Sequence, residues 1–388
     1  MATKIYAGVN DKACKVKRIY IGVSGKARSV KKAYIGVNGK ARLCWIKAGL
    51  YYCTGKMPEL SVGRSGLAAA ASYNHALFGG GSSAYSTGKL NIVDGFNNKL
   101  TKIDVAPLNS KRTNLTATFH RAYAGVIFCG GFDESKVSGI VDVYNRNLVK
   151  TTASELSVDR CALASATNAY NAIIAGGYKA NIESNTVDSY DGSLTKSSIS
   201  NLSQRRHHLS GSGTADNSGI VLFGGGEYDY KYADDVDGYS ALSTKYSVAS
   251  LSIGRSKLAS APIGKYIIFA GGYNKGDLTD VDLYDKSFTK VSTIAPMSIG
   301  RSLFSATRVG NYVIFSGGYN REDLRIADIY DIDLVRTTMT VSFNARGSVA
   351  ASIGNYAIFA GGDIIESPDK ETPNPEQPSK MNVFNLID

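Results

Sequence analysis

Seven arginines recur along the chain at a nearly constant spacing of 45 to 49 residues: Arg64, Arg112, Arg160, Arg206, Arg255, Arg301 and Arg346. A guanidinium group binds carboxylates and phosphates through two parallel hydrogen bonds, so a ring of them would form an anion-binding face. The alternative is structural, with each arginine paired to the backbone of a neighbouring repeat or to an aspartate. Because the arginine recurs whatever the adjoining loop contains, the sequence favours the structural interpretation, with ligand binding kept as the second.

A tyrosine-rich segment, GEYDYKYADD at 226–235, is the second candidate site. Its proposed contact residues are Tyr228, Asp229, Tyr230 and Tyr232. Tyrosine offers a flat apolar ring with a hydrogen-bonding tip, which suits recognition surfaces including carbohydrate sites. The same residues would also serve as ordinary edge packing. The aspartates could attract Ca²⁺, but the spacing does not match an EF-hand.

Enzymatic signals in the sequence are weak. His75 and His120 fall between inner strands, where surface turns are expected. His207 and His208 are adjacent, so on a strand they would face opposite ways and could not chelate one metal. Phosphate-loop, nucleophile-elbow and Asp-box motifs are lacking. The sequence therefore predicts no enzyme, cofactor or metal, although two loop carboxylates of a glycosidase would leave no local pattern.

The elements that position these residues are repeated as well. An apolar run ending in a Gly-Gly doublet occurs seven times, as in YIIFAGG at 266–272, and a VDxY-type strand follows each doublet, as in VDLY at 281–284. A further strand of LTK or LVK type comes next in six of the repeats. A period in the high forties in a Gly-rich chain predicts an all-β, seven-bladed β-propeller with four antiparallel strands per blade.

The last repeat ends after its third strand, whereas an unassigned strand-like segment precedes the first repeat. We therefore predict two domains: an attachment module at 1–47 and the propeller at 48–388, with residues 48–59 supplying the missing strand of the seventh blade. Closing the ring with both chain ends removes an open sheet edge.

Arginine, a small-residue strand, apolar–Gly–Gly and VDxY in this order resemble the kelch repeat family over about 60–388. The resemblance implies the propeller fold and, in similar propellers, arginines that contact acidic ligands. The chain departs from the family on the fourth strand, where kelch repeats carry a Trp. The single tryptophan here, Trp45, lies outside the repeats.

The net charge of +11 lies entirely in the first 47 residues. Twelve basic residues stand there against Asp11, which leaves 32 basic and 32 acidic residues in the rest. This segment also has its own repeat, as in IYIGVSGKAR at 19–28 and AYIGVNGKAR at 33–42, with Ser-Gly and Asn-Gly turns typical of hairpins. Three such hairpins have little core, so they are expected to be stabilised by docking on another surface.

The tandem IYIGVNGKAR-type segments resemble those of tail-associated structural proteins of phages and prophages of Gram-positive bacteria. The resemblance implies attachment to a particle, with these residues as docking contacts: Lys15, Lys17, Arg18, Lys26, Arg28, Lys31, Lys32, Lys40 and Arg42. The charge could instead form a solvated face, or dock on an acidic protein, or, less readily, bind nucleic acid, since Tyr6, Tyr20 and Tyr34 recur as core residues would.

The sequence therefore favours a structural and binding protein of a phage-like particle, associated with its tail or baseplate. Its propeller loops would bind a host-surface glycan or protein. The alternatives are an intracellular kelch-type scaffold for acidic peptides and a propeller carbohydrate-active enzyme. Synthesis in the bacterial cytoplasm is expected, since the amino terminus lacks a signal-peptide core and the five cysteines lack a paired spacing. The proline-rich loop at 363–380 is either a contact arm or a tolerated insertion, and the sequence favours neither.

Overall fold

The structure is a computed structural model. It describes residues 6–9, 12–15, 20–23, 26–29, 32–37, 40–46, 49–55, 57–83, 88–214, 219–291, 294–320, 324–364 and 379–387. Three of the predicted docking residues, Lys17, Arg18 and Lys31, lie outside these ranges, and so does most of the loop at 363–380. The chain divides into two compact units, Met1–Tyr51 with Phe384–Asp388 and Tyr52–Val383.

The described residues before the propeller form three antiparallel strand pairs. The strands are β1 (Tyr6–Val9) with β2 (Lys12–Lys15), β3 (Tyr20–Val23) with β4 (Lys26–Ser29), and β5 (Lys32–Val37) with β6 (Lys40–Ile46). The remaining predicted docking residues lie on these strands, as follows: Lys15 on β2, Lys26 and Arg28 on β4, Lys32 on β5, and Lys40 and Arg42 on β6.

Seven four-stranded antiparallel sheets make up a seven-bladed β-propeller, as predicted. Blade one contains β8 (Ala68–Ala71), β9 (His75–Gly79), β12 (Val93–Asn97) and β13 (Lys102–Ile103). Blade two contains β14 (Thr116–His120), β15 (Gly125–Cys129), β16 (Val141–Tyr144) and β17 (Lys150–Thr152). Blade three contains β18 (Ala164–Thr167), β19 (Ala172–Ala175), β22 (Val187–Tyr190) and β23 (Lys196–Ser198).

Blade four contains β24 (Ser210–Gly213), β25 (Val221–Gly224), β28 (Val236–Tyr239) and β29 (Lys245–Ser247). Blade five contains β30 (Ala259–Ile263), β31 (Tyr266–Ala270), β32 (Val281–Asp285) and β33 (Lys290–Val291). Blade six contains β34 (Ser305–Val309), β35 (Tyr312–Ser316), β36 (Ile326–Asp331) and β37 (Arg336–Thr340). Blade seven combines β39 (Val349–Ile353), β40 (Tyr356–Ala360) and β42 (Met381–Ile387) with β7 (Gly49–Tyr52) as its outer strand.

Four short two-stranded ribbons lie beside the blades; three follow a Gly-Gly doublet, and the fourth pairs the arginine turn of blade seven with the residues after Gly362. They are β10 (Ser82–Ser83) with β11 (Gly88–Lys89), β20 (Tyr178–Lys179) with β21 (Ile182–Glu183), β26 (Glu227–Tyr228) with β27 (Lys231–Tyr232), and β38 (Ala345–Arg346) with β41 (Asp363–Ile364). No helix long and apolar enough to cross a membrane occurs among the described residues.

The residue pattern of each strand explains its place in the blade. The first strand of blade five, ASAPI, alternates between buried and half-buried small residues, which suits the crowded centre of the ring. Each first strand contacts the first strands of both neighbours, and that of blade seven contacts that of blade one. The second strand, YIIFA, has four buried residues because both of its faces pack between blades.

The Gly-Gly doublet forms the joint between one blade and the next. In each doublet the N–H of the second glycine donates to a backbone carbonyl of the next blade, which belongs to the repeat arginine except at the step into blade seven, where it belongs to Ala345. Gly362 of blade seven donates to Arg64 of blade one at 2.9 Å, which completes the circle. Both glycines of every doublet have a positive φ, which other residues adopt only with strain.

The segment that precedes blade one also contacts the strand that ends blade seven. The backbone N–H of Cys53 donates to the carbonyl of Val383 at 2.9 Å, and the hydroxyl of Tyr52 donates to Asn382 Oδ1 at 2.7 Å. Leu60 donates to the carbonyl of Ser379 at 2.8 Å. The ring is therefore held shut by hydrogen bonds between residues that are far apart in sequence.

Candidate functional site

The repeat arginines of blades one to six lie inside the blades, with side chains that are 0% exposed. Each donates to the aspartate of its own VDxY strand at 2.5–2.8 Å. The pairs are Arg64–Asp94, Arg112–Asp142, Arg160–Asp188, Arg206–Asp237, Arg255–Asp282 and Arg301–Asp328. A buried and paired guanidinium group is not accessible to a ligand. The prediction that these six arginines form a ligand-binding face does not fit their burial, whereas the structural alternative does.

Further polar groups surround the aspartate of each pair. In blade five, Lys290 of the fourth strand contacts Asp282 at 2.7 Å, and the backbone N–H and hydroxyl of Ser252 donate to the same carboxylate. Burial alone would raise the pKa of Asp282, but the charge of Arg255 and the hydrogen bond from Lys290 outweigh burial and lower it. The fourth-strand lysine therefore serves as a second cationic partner of the aspartate in blades one, four and five.

Blade two shows what happens when the lysine points elsewhere. Lys150 donates to the carbonyl of Pro107 at 2.8 Å and to Asn109 Oδ1 at 2.7 Å. Asp142 keeps Arg112 and the backbone N–H of Asn109 as hydrogen-bond donors. Burial then prevails, and the pKa of Asp142 is raised.

Blade seven departs from the pattern at every position of this cluster. Phe343 replaces the serine, Asn382 replaces the VDxY aspartate, and Asn382 binds the hydroxyl of Tyr52 and the carbonyl of Phe343. Among the described residues of its blade, Arg346 therefore has no buried carboxylate beside it. Its side chain is 42% exposed and lies 3.5 Å from Asp363. Of the seven repeat arginines, Arg346 is the one that reaches an open surface.

That surface is an axial cup, an open cavity of about 570 Å³ at one end of the ring axis. Its wall consists of one turn from every blade. Its floor is a ring of apolar side chains three residues after each arginine: Leu67, Leu115, Leu163, Leu209, Leu258, Phe304 and Val349. The ionisable side chains of the lining are His208, Lys257, Arg346 and Asp363.

The turns of the cup wall share an unusual backbone conformation. One residue per blade has a φ between 51° and 67°: Gly66, Asn114, Ala162, His208, Lys257, Leu303 and Gly347. Six backbone hydrogen bonds of 2.6–3.1 Å connect them in order around the axis, from Asn114 N–H to Gly66 carbonyl through to Gly347 N–H to Leu303 carbonyl. This belt fixes the wall, so side chains that project from it are preorganised.

His207 and His208 lie on the wall of blade four and converge on Glu227. Glu227 Oε1 is 2.7 Å from His208 Nδ1 and 3.2 Å from His207 Nε2. The expectation that the two histidines face opposite ways was wrong, because His208 has a φ of 52° and does not continue a strand. Hydrogen bonds from His207 and His208 hold the pKa of Glu227 well below its usual range, and burial lowers the pKa of His208.

His120 was also expected on a surface turn, and this prediction was wrong. The side chain is fully buried, and Nε2 lies 3.0 Å from the carbonyl of Tyr190 and 2.8 Å from that of Asp191 in the next blade. Burial lowers the pKa of His120. The residue joins two blades. His75 is half-buried at the start of β9.

The tyrosine segment forms the ribbon β26–β27, which begins at Glu227. Tyr230 is fully exposed at its tip, where Asp229 and Tyr230 both have a positive φ, as in a tight hairpin turn. Asp229 pairs with Arg205 at 2.7 Å. Tyr232 packs edge-on against Tyr273 with ring centroids 5.9 Å apart. Thus Tyr230 is available to a partner, and Tyr232 supports the ribbon as edge packing.

Comparisons with known proteins identify the fold alone. No protein-family model and no curated protein matches the chain. Among solved structures, that of YjhT is similar with a TM-score of 0.56 and 14% sequence identity. The similarity covers 73% of this chain and 99% of YjhT.

Proposed function

We propose that the chain is a non-enzymatic binding protein whose ring holds a ligand at the axial cup. The observation that carries this proposal is the cup itself, with a wall fixed by the backbone belt and lined by one turn from each blade. Preorganised concave sites with an apolar base and a few polar groups are the usual form of binding sites. The six buried arginines build the blades, and the ligand contacts come from residues that break the repeat.

The chemistry of the cup favours a ligand with a negative or hydroxyl-rich group above an apolar part. Lys257 and Arg346 supply two cationic groups against one carboxylate, Asp363. The exposed Tyr230 ribbon adds an aromatic surface that suits sugar rings or a protein loop. We propose a host-surface glycan or protein as the ligand.

We further propose that the basic segment at 1–47 attaches the protein to a phage-like particle, as the resemblance of its repeats to tail-associated proteins suggests. Twelve cationic residues against one acid favour an acidic protein surface as the docking partner. Attachment through residues 1–47 would leave the propeller available to bind the host. The protein would then be made in the bacterial cytoplasm and end on the virion.

The cup also suits a kelch-type scaffold for acidic peptides, because Lys257 and Arg346 would pair with carboxylates of a peptide as well as with those of a glycan. A binding experiment separates the two. Full-length protein is applied to cell-wall preparations, a glycan array and an acidic peptide library in parallel. Saturable binding to cell walls or glycans supports the first proposal, and binding to peptides alone supports the scaffold.

Variants show which surface is responsible. We expect the K257A–R346A double variant to lose at least about tenfold in affinity, with Y228A–Y230A as a second pair. Lys286→Ala is the matched control, because Lys286 is exposed in the turn between β32 and β33 and does not line the cup. Unchanged binding by K257A–R346A would contradict the cup as the site, because Tyr228 and Tyr230 do not line it. Turnover of a bound glycan would point instead to an enzyme.

A further inference from the structure

Blade four differs from the other blades at the two positions of a recurring backbone bridge and at the belt position that follows it. In blades one to six, the residue after the repeat arginine pairs with the residue after the Gly-Gly doublet. The pairs are Ser65–Ser82, Thr113–Phe132, Cys161–Tyr178, His207–Glu227, Ser256–Tyr273 and Ser302–Tyr319. The scaffold is therefore constant, while the side chains vary. In blade four it carries His, Glu and, at the next belt position, a second His.

These three side chains present their donor atoms to one point. All three offer a ligand atom within 4.8 Å of the others, and in the described part of the chain they are the one His, Cys, Asp or Glu group that does so. Zinc bound tetrahedrally at about 2.0–2.1 Å from each ligand separates neighbouring donor atoms by about 3.3 Å. The two distances to Glu227 Oε1, 2.7 and 3.2 Å, each differ from that spacing by less than about 1 Å.

The surroundings fix the three side chains in place. The backbones of His207 and Glu227 exchange hydrogen bonds of 3.1 and 2.9 Å. The hydroxyl of Ser256 donates to Glu227 Oε2 at 3.2 Å, and the ring of Tyr178 lies 5.0 Å from that of His207. Such outer contacts orient the ligands of metal sites. His207 Nδ1 is buried and has no hydrogen-bond partner among the described residues, so His207 is held by its backbone bridge and by the contact with Tyr178.

We propose that His207, His208 and Glu227 bind a divalent transition-metal cation of the Zn²⁺ type at the wall of the axial cup. Two imidazole nitrogens and one carboxylate oxygen suit Zn²⁺, Co²⁺, Ni²⁺ or Cu²⁺, whereas Mg²⁺ and Ca²⁺ require mostly oxygen ligands. His208 lines the cup, so the fourth coordination position is open to water or to an oxygen of a bound molecule.

The direct test is a metal titration that involves no glycan, so its result does not depend on the function proposed above. Full-length protein is treated with a chelator, dialysed under reducing conditions and titrated with ZnCl₂ in a calorimeter. We expect the H207Q–H208Q double variant to bind one Zn²⁺ fewer per chain than the unaltered protein. Glu227→Gln should weaken that binding by more than about tenfold.

Control variants and a second readout keep the result interpretable. His75→Gln and Glu155→Gln remove a histidine and an exposed carboxylate outside the cluster, and both should bind like the unaltered protein. Zn²⁺ should also raise the thermal midpoint of the unaltered protein and not that of the double variant, reversibly with chelator. The visible absorption of bound Co²⁺ should report a site of low coordination number.

Two outcomes would overturn the proposal. In one, the unaltered chain binds no Zn²⁺. In the other, the folded double variant binds the same number of ions with the same affinity. A loss of Zn²⁺ binding in the double variant supports the proposal only if the far-ultraviolet circular dichroism of that variant matches that of the unaltered chain. If the double variant is misfolded, the Zn²⁺ affinity of Glu227→Gln and the Co²⁺ spectrum of the unaltered chain test the proposal instead.

Discussion

At the scale of single residues, the repeat arginines and VDxY aspartates are coupled, because loss of either charge leaves its partner buried and unpaired. Both side chains of the Arg255–Asp282 pair are almost fully buried, with 0% and 2% exposure. Removing one charge from a buried pair leaves the other desolvated and unpaired, which costs more than the pair itself gains. The half-exposed Lys290 contacts the same carboxylate without that dependence.

We therefore expect Asp282→Asn to lower the free energy of unfolding by about 3–5 kcal/mol. Lys290→Ala should lower it by about 1 kcal/mol or less, because a partly exposed ion pair is screened by water. Urea unfolding at 25 °C, followed by far-ultraviolet circular dichroism, measures the free energy of unfolding of both variants. Equal effects of the two substitutions would show that burial of the aspartate does not govern the stability of the pair.

His120 gives the fold a dependence on pH. Because burial lowers its pKa in the folded state, the unfolded chain binds the proton more readily when the pH falls below about 6.5. The contribution of His120 is therefore present at neutral pH and is lost as the pH falls. In His120→Gln the free energy of unfolding should decline less between pH 7 and pH 5 than in the unaltered protein. Parallel declines measured by urea unfolding would contradict this assignment.

At the scale of elements, the Gly-Gly doublet is the part of the repeat that connects blades. A Cβ added to Gly225 would lie 2.5 Å from the carbonyl oxygen of Arg255 in the next blade, and the φ of Gly225 is +68°. The same close approach recurs in the other doublets, including that of Gly361 to Arg64 across the closure of the ring. The doublet is conserved within the chain because it meets a neighbour's backbone, which cannot move without separating two blades.

Gly225→Ala should accordingly lower the free energy of unfolding by more than about 2 kcal/mol, from backbone strain and the clash together. Gly276→Ala is the matched control, because its added Cβ has no atom within 4 Å and its φ is not positive. That substitution should stay within about 0.5 kcal/mol of the unaltered protein. Thermal and urea unfolding of the two variants side by side provide the measurement.

The same elements show what the sequence could and could not reveal. The doublets, the VDxY strands and their period predicted seven blades, because those patterns are set by local backbone and burial requirements. The partner of each arginine lies roughly 30 residues away, so the spacing left ligand binding and internal pairing both open. The convergence of His207 and His208 depends on the φ of 52° at His208, a conformation that a non-glycine residue does not announce.

At the scale of the whole molecule, the blade that closes the ring takes its outer strand, β7, from Gly49 onward, and three further closing hydrogen bonds involve residue 52 or later. These are the bonds of Tyr52 and Cys53 to Asn382 and Val383, and the bond from Gly362 to Arg64. The net charge has the opposite distribution, since it lies entirely in residues 1–47. The net charge and the propeller blades therefore lie in different parts of the chain.

A truncated chain of residues 48–388 tests this separation. We expect it to unfold in one cooperative transition with a midpoint within a few degrees of that of the full chain, because it keeps every contact that closes the ring. The truncated chain should not bind a polyanionic resin, because it has 32 basic and 32 acidic residues and no net charge. The full chain should bind the resin, and salt should weaken that binding strongly.

Full-length protein with Lys26, Arg28, Lys32 and Lys40 changed to Glu is the control for that experiment, since it lowers the net charge of residues 1–47 from +11 to +3 and keeps the segment. It should behave like the truncated chain on the resin and like the unaltered chain in unfolding. A truncated chain without a cooperative unfolding transition would show that residues 1–47 are needed for the propeller to fold. Retention of the truncated chain on the resin would place the anion-binding surface on the ring, where Lys257 and Arg346 line the cup.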